Sequence, residues 1–168
     1  MMDIETLLGM IAAHLPCRTI RIGGEVYLQR FYLSGAMPVR LASLWPENSR
    51  PSPARGHRDD GMTHYLHRFW QPDPDRHLHN HPWRGRTTIL SGRYRERRIE
   101  GVREFGPGEG YALEQDTYHS IVELMTPTVW TLFSHGPKEG NWGFWVDGEH
   151  VPWREYDREN GCRKEKRR

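Results

Sequence analysis

The feature that most constrains the fold is a succession of short β-type segments between Thr63 and Val146. Glycine, proline or aspartate separates most of them. Many short strands with turn residues between them are typical of a β-sandwich or a β-barrel. The predicted strands are His64–Trp70, His77–His81, Arg86–Leu90, Arg93–Arg98, Val102–Phe105, Gly110–Leu113, His119–Glu123, Val129–His135 and Trp142–Val146.

Two elements precede these strands. Apolar residues recur at helical spacing over residues 3–15, where Asp3 can cap the helix and Pro16 ends it. The period then changes to two, and Arg18–Leu33 predicts two strands joined at Gly23-Gly24, which is a hairpin signal. We therefore expect an N-terminal helix over residues 1–16 that packs on a mainly β domain over residues 17–160.

Three further segments complete the predicted organisation. Ser34–Met62 carries four prolines and three glycines, which predicts a long loop, either disordered or a functional flap. Val151–Asn160 predicts a short helix that covers one end of the β domain. Residues 161–168 form a basic tail, which is either a solvated end or a weak contact for phosphate or a partner.

Composition excludes several classes of protein. The 168 residues suit one domain, and the net charge of +2 gives no reason to expect nucleic-acid binding. The first residues carry acids where a signal peptide needs positive charge, and their apolar run is too short to span a membrane. Two cysteines, Cys17 and Cys162, define no disulfide framework. These features predict a soluble cytoplasmic protein.

The stretch His77–Trp83, HLHNHPW, places three histidines at alternate positions. On a strand, His79 and His81 point to the same face about 7 Å apart. Their imidazoles can then converge on one ion at bond lengths of roughly 2.0–2.2 Å. A His-x-His pair on an exposed strand is more often incidental, so a metal site needs a third ligand from elsewhere.

The segment that starts at His79 resembles the first cupin motif, G-x5-H-x-H-x3,4-E-x6-G. His79 and His81 occupy the two histidine positions, and Gly92 is the closing glycine. Gly85 stands where many cupins have a glutamate ligand, and Asp73 replaces the leading glycine. The resemblance implies a single cupin-type, jelly-roll β-barrel.

The second cupin motif, G-x5-P-x-G-x2-H-x3-N, is similar to Gly108–Glu123. His119 occupies the histidine position and Glu123 the last position, whereas Glu114 and Asp116 replace the turn proline and glycine. Fifteen residues, Arg93 to Pro107, separate the motifs, a spacing typical of microbial cupins.

The resemblance implies that His79, His81 and His119 hold one divalent metal ion. Gly85 offers no fourth ligand, so positions on the metal stay open for water, dioxygen or substrate. This ligand set resembles that of the thiol dioxygenases, which favours Fe(II), although Zn(II) and Ni(II) also suit imidazole. His77 is expected at the rim of the site, with a lesser possibility that it replaces His81.

A second resemblance covers roughly Tyr65 to Cys162. The segments Tyr65–Trp83 and Val129–Tyr156 look like a set of short cupin-domain proteins found in phages and bacteria. That likeness supports the fold and says little about the substrate.

Further residues are candidates for the site. Glu123 would face the same side as His119 by strand alternation and orient a ligand or act as a base, or it is an exposed carboxylate. Tyr94 and His135 are candidate acid–base groups. Arg68 would bind a carboxylate or phosphate, and Trp83 and Trp130 would contact substrate, although each of these residues could instead be outward-facing or fill the core.

We expect a metal-dependent enzyme, most readily a mononuclear non-haem iron dioxygenase or oxygenase acting on a small polar substrate. The alternatives are a non-redox metal cupin, such as an isomerase, epimerase or hydrolase, and a non-catalytic module that binds small molecules. A small molecule is the expected partner, together with a possible homodimer, and no nucleic acid or membrane.

Overall fold

A computed structural model describes residues 3–34, 37–42 and 61–159 of the chain. These residues form three helices, α1 (Ile4–Ala12), α2 (Met37–Ala42) and α3 (Trp153–Glu159). The strands are β1 (Cys17–Ile22), β2 (Glu25–Leu33), β3 (Thr63–Phe69), β4 (Leu78–His79), β5 (Gly85–Ser91), β6 (Tyr94–Arg98), β7 (Gly101–Phe105), β8 (Gly110–Leu113), β9 (His119–Leu124), β10 (Val129–His135), β11 (Gly143–Val146) and β12 (Glu149–Pro152).

The strands form two six-stranded antiparallel sheets. The first sheet has the order β1-β2-β3-β10-β5-β8 and the second sheet has the order β12-β11-β4-β9-β6-β7. The predicted mainly β fold with an N-terminal and a short C-terminal helix is confirmed. The expectation of a closed barrel is wrong, because no hydrogen-bonded ladder joins the two sheets among the described strands. Two facing sheets bury their inner faces without the strand stagger that closure requires.

Apolar residues build two separate clusters. One lies between α1 and the first sheet, where Leu8 and Ala12 of α1 join Phe31, Leu66 and Trp130. The other combines residues of both sheets, namely Leu28, Phe69, Ile89 and Val129 of the first sheet with Tyr94, Phe105 and Ile121 of the second. The inter-sheet cluster forms one side of the space in which the candidate site lies.

The N-terminal helix begins as predicted and ends early. The Asp3 carboxylate accepts hydrogen bonds from the backbone N–H of Thr6 at 2.9 Å and from its hydroxyl at 2.7 Å, which caps α1. After Ala12 the chain makes tighter turns, with Leu15 N–H donating to the Ala12 carbonyl. Because Pro16 disfavours helical geometry in the residue before it, the helix stops short of Leu15.

Other boundaries differ from the sequence-based prediction. α2 lies inside the segment predicted as a loop over residues 34–62, and β12 is an additional strand that forms a hairpin with β11. β4 is limited to Leu78 and His79, since the residues after His79 leave the sheet. Residues 43–60 of the expected loop and the basic tail over 161–168 lie outside the described residues. No helix in the described part of the chain is both long and apolar enough to cross a membrane.

Candidate metal centre

Three histidines from two strands and one loop converge in the structure. His79 ends β4 and His119 begins β9, and the two residues are direct partners in the antiparallel pairing. His81 follows in the loop after β4, and its Nε2 lies 3.0 Å from Nε2 of His119. One ligand nitrogen from each ring lies within 4.8 Å of the other two. The histidines that the motifs single out are therefore close enough to share one ion.

Asn80 holds the loop that carries His81. Its side-chain amide donates to the backbone carbonyls of Gln115 at 2.7 Å and Asn141 at 3.2 Å, and its Oδ1 accepts from Gly143 N–H at 2.8 Å. The Asn80 backbone N–H also donates to the Gly143 carbonyl. The residue between the two histidines of the motif is thus buried, while its neighbours point toward the site.

A buried carboxylate orients His119. Glu96 of β6 is fully buried, and its Oε2 lies 3.0 Å from Nδ1 of His119. Arg98 donates to Glu96 Oε1 at 2.6 Å, Tyr111 donates to Oε2, and Tyr94 shares a hydrogen bond of 2.7 Å with Tyr111. Burial alone would raise the pKa of Glu96, but the hydrogen bonds led by that from His119 outweigh it and lower the pKa.

This network fixes the tautomer of His119. Because an ionised Glu96 can only accept, Nδ1 of His119 carries a proton, and the tautomer that can bind a metal has its lone pair on Nε2, which faces His81. A carboxylate behind a ligand histidine is the usual second partner in metal sites of proteins.

The electrostatics of the other two rings also suit a metal. Burial lowers the pKa of His79 to about 4, and it holds the pKa of His81 well below the ordinary value, with further lowering from His119. Neutral imidazole is the form that binds metal ions. Nδ1 of His79 is buried with no hydrogen-bond partner among the described residues. A buried nitrogen of this kind is unfavourable unless a further group interacts with it. These residues fit a divalent cation.

A cavity of about 440 Å³ opens beside the three histidines and is lined by residues of both sheets. Its walls are mainly apolar, and they include Ile20, Phe69, Ile121 and Phe133. The polar groups that reach it besides the histidines of the cluster are Tyr27, Arg30, His67, Asp73, Asp75, Thr87, Tyr94 and Tyr111. A small organic molecule could therefore lie next to the cluster with most of its surface out of water.

Gly85 begins β5 and leaves no room for a side chain. A Cβ at this position would lie 2.9 Å from the Ser134 carbonyl oxygen and 3.5 Å from Cβ of His135. The structure therefore has no space for the glutamate that many cupins carry at this position. His77, the other weighed histidine, is held by Tyr156 of α3 through a contact of 3.0 Å and lies outside the cluster.

Glu123 lies on the outer surface, so the expectation that it shares the side of His119 is wrong. Its carboxylate pairs with Arg95 at 2.8 Å, and its side chain is 51% exposed. The reason is a β-bulge, because β9 pairs Ile121 with Glu96 but Glu123 with Arg95, which leaves Val122 as the extra residue. The bulge inverts the alternation beyond Ile121.

The remaining predicted residues divide between two places. Tyr94 and Trp83 line the cavity, and the Trp83 ring stacks on His81 with 5.4 Å between centroids. The His135 ring lies tilted against the Trp83 ring, with 4.6 Å between centroids, and is not among the residues that line the cavity.

Arg68 and Trp130 lie away from the cavity, and the structure contradicts the expectation that they contact substrate there. Arg68 pairs with Glu5 of α1 at 3.2 Å and lies over the Trp130 ring at 4.9 Å. Trp130 belongs to the cluster beneath α1. Both side chains lie on the face of the first sheet that α1 covers. The strand pattern alone did not predict which face they would occupy.

Sequence reasoning missed Glu96, Asn80 and Arg30. Glu96 lies in the charged run YRERR, which has the composition of an exposed strand. The available signal was that Glu96 and Arg98 share the face of the aromatic Tyr94. Asn80 and Arg30 carry no comparable pattern, since their roles arise from contacts with residues distant in sequence.

Comparisons with known proteins find the fold and no close relative. No family model matches the chain, and no curated protein matches it. A cupin-2 domain protein from Rhodospirillum rubrum has a TM-score of 0.54 at 9% identity, covering 79% of this chain and 76% of that protein. The Fe(II) form of HppE has a TM-score of 0.49 at 12% identity, and the match covers 73% of this chain. A cupin-superfamily sugar phosphate isomerase from Silicibacter pomeroyi has a TM-score of 0.43 at 14% identity, and the match covers 52% of this chain.

This chain spans 57% of the length of HppE and 58% of that of the isomerase. The fold comparison therefore depends on the Rhodospirillum rubrum protein, and at this identity it concerns architecture alone. The described residues adopt the cupin fold, and the three histidines of the two motifs meet on the wall of its cavity.

Proposed function

We propose that this protein is a metal-dependent cupin enzyme that holds one divalent cation with His79, His81 and His119, and that it acts as a mononuclear non-haem iron oxygenase. The observation that carries the proposal is the convergence of three imidazoles on the wall of a cavity large enough for a small organic molecule. Iron(II) bound there would supply a redox centre for oxidation by dioxygen.

The protein's own contribution is to position the ligand histidines and to exclude water from the site. Glu96 keeps the proton of His119 on Nδ1, and Asn80 fixes the loop that delivers His81. The rings of Phe133 and Trp83 pack against His81, with centroids 6.5 and 5.4 Å from it. An apolar surrounding of this kind favours a reaction that must be protected from water.

Ligand chemistry supports iron without excluding other metals. Three neutral nitrogen ligands suit Fe(II), Zn(II) and Ni(II), and they leave the full charge of the cation uncompensated in the first ligand shell. The preference for iron follows from the likeness of the motifs to three-histidine cupins that use dioxygen, which is an argument by analogy.

Metal analysis tests the first half of the proposal. Protein purified without added metal should carry close to one equivalent of a divalent metal, and His119→Ala should lose it. His77→Ala is the matched control, because His77 is a neighbouring histidine outside the cluster, and it should keep the metal. Equal metal content in all three proteins would contradict the assigned ligands.

Nitric oxide and oxygen uptake test the second half. Protein loaded anaerobically with Fe(II) should bind nitric oxide and give the half-integer-spin electron paramagnetic resonance signal of an iron–nitrosyl, which His119→Ala should lack. Oxygen consumption should then depend on both iron and an organic substrate. Zinc as the native metal, with no nitrosyl signal and no oxygen uptake, would contradict an oxygenase.

A non-redox isomerase or hydrolase is the second candidate, and Asp75 is the observation that favours it. Burial, with the nearby charges of Asp73 and Asp157, raises the pKa of this cavity-lining carboxyl to about 6, a value suited to proton transfer near neutral pH. Of the residues predicted for acid–base work, only Tyr94 lines the cavity. Turnover by zinc-loaded protein without dioxygen would favour this candidate.

A further inference from the structure

Arg30 brings a positive charge into the cavity from the wall that the first sheet provides. It lies on β2, whereas His79 and His119 lie on strands of the second sheet, and all three residues line the same cavity. Its register partner on β3 is His67, whose ring also lines the cavity. A guanidinium and a candidate metal site thus line one cavity.

Two contacts hold the guanidinium in place. Its Nε donates to Nε2 of His67 at 3.1 Å, and its Cζ lies 4.8 Å from the centroid of the Tyr65 ring. The Nε contact requires a lone pair on Nε2, so His67 is neutral and does not compensate the charge of Arg30. Burial also holds the pKa of His67 well below its ordinary value.

The charge of Arg30 has no ion-pair partner among the described residues. Asp73 lines the same cavity, but its carboxylate accepts from the hydroxyl of Tyr27 and, at 2.7 Å, from the N–H of Ile121. A half-buried guanidinium without an anion is unfavourable in apolar surroundings. Its two Nη groups form the planar fork that recognises a carboxylate.

The surface next to Arg30 is aromatic and apolar. Tyr65, His67 and Phe133 stack as one wall, with Phe133 5.3 Å from His67 and 6.4 Å from Tyr65. His67 and Phe133 of this wall line the cavity, as do Leu28 and Phe69. A ligand that contacts this wall and the guanidinium together needs an apolar body and a negative end.

We propose that the substrate of this site is a small organic carboxylate with an apolar body, and that Arg30 binds its carboxylate. The identification of this ligand as a substrate rests on the proposed function. The binding of a carboxylate by Arg30 does not itself require the metal. Arg30 takes the role that sequence reasoning gave to Arg68, which α1 covers on the opposite face of the sheet.

The test measures binding by titration calorimetry on the full chain loaded with redox-inert Zn(II). The probe is 3-phenylpropionate, which has both an apolar ring and a carboxylate. 3-Phenylpropanamide lacks the charge and acetate lacks the ring, so both should bind much more weakly. Arg30→Met should weaken 3-phenylpropionate binding by roughly 10- to 100-fold, the range expected for hydrogen bonds to a charged group. Arg30→Lys should lie in between, since it keeps the charge and loses the fork.

Arg18→Met is the matched control, because Arg18 is exposed and is the register partner of Arg30 on β1. It should bind 3-phenylpropionate like the wild type, and thermal unfolding of each variant identifies any that misfold. The inference is overturned if Arg30→Met and the wild type bind the acid equally, if the acid and amide bind equally, or if the wild type binds no acid at millimolar concentration.

A second titration on His119→Ala separates this inference from the proposed function. Binding of 3-phenylpropionate that persists there and depends on Arg30 supports the anion site even if no metal is native. If the metal content is normal but Arg30→Met does not change the binding of 3-phenylpropionate, the inference is overturned. The proposed metal centre is not affected by that result.

Discussion

His79 and His119 are direct cross-strand partners on β4 and β9, with 4.9 Å between their ring centroids. Side chains directly opposite on an antiparallel pair are nearest neighbours, so the backbone ladder itself sets the separation of these two ligands. His81 completes the cluster from a loop, with its ring 5.2 Å from His79 and 5.1 Å from His119. The stability of the site therefore depends on the β4–β9 pairing and on the contacts that hold the loop.

Replacing Glu96 by glutamine should weaken metal binding by roughly 10- to 100-fold, because an amide makes a weaker hydrogen bond to His119 and leaves its tautomer unfixed. Competition with a chromophoric chelator measures the affinity. Glu104→Gln is the control, as Glu104 lies on the neighbouring strand and pairs with Arg93 at the surface. Equal affinities for the two variants would show that Glu96 does not support His119.

Replacing Asn80 by alanine should lower the free energy of unfolding by about 1–3 kcal/mol, since buried groups lose their hydrogen-bond partner. Metal affinity should fall as well, because the loop that carries His81 loosens. Urea unfolding measures the first effect. Asn141→Ala should have little effect on either, since only its backbone carbonyl contacts Asn80. A stable Asn80→Ala protein with unchanged affinity would contradict this role.

Adding a side chain at Gly85 should destabilise the fold and create no ligand. Gly85→Ala forces its Cβ against the Ser134 carbonyl, at an expected cost of about 1–3 kcal/mol. Gly85→Glu should bind metal no more tightly than the wild type. Gly9→Ala in α1 meets no atom within 4 Å and should stabilise the protein by about 0.5–1 kcal/mol. Tighter metal binding by Gly85→Glu would show that the strand can accept a fourth ligand.

Replacing Asp75 by asparagine should stabilise the protein above pH 6 and not below pH 4. Burial, Asp73 and Asp157 raise the pKa of Asp75 from 3.8 to about 6. Between those values the folded protein binds a proton that the unfolded chain lacks, so the carboxyl costs stability as the pH rises, and fully so above pH 6. Urea unfolding across pH 4–8 measures the difference from the wild type, with the exposed Asp116→Asn as control. A difference that does not change with pH would contradict the raised pKa.

Much of the architecture follows from local sequence. The alternation of apolar residues and the turn residues predict β3, β5, β6, β7, β8, β9 and β10 close to their observed limits. Gly23 and Gly24 both have positive φ angles, of 59° and 88°, so the predicted hairpin has the residues that its turn requires. The short β12 and the six-residue α2 escaped prediction because elements of this length depend on their neighbours more than on their own pattern.

The sequence by itself determined most of the strands, because local periodicity and turn residues predict them, and its resemblance to the two cupin motifs identified the three histidines. Tertiary structure decided which polar residues surround them. A bulge in β9 turned Glu123 outward, and the packing of α1 took Arg68 and Trp130 to the opposite face of the first sheet. Glu96 and Arg30 lie at the site because their strands pair with strands that are distant in sequence. No local sequence pattern predicts such pairing. The face a strand buries is set by what packs against it, and that is known only when the whole chain has folded.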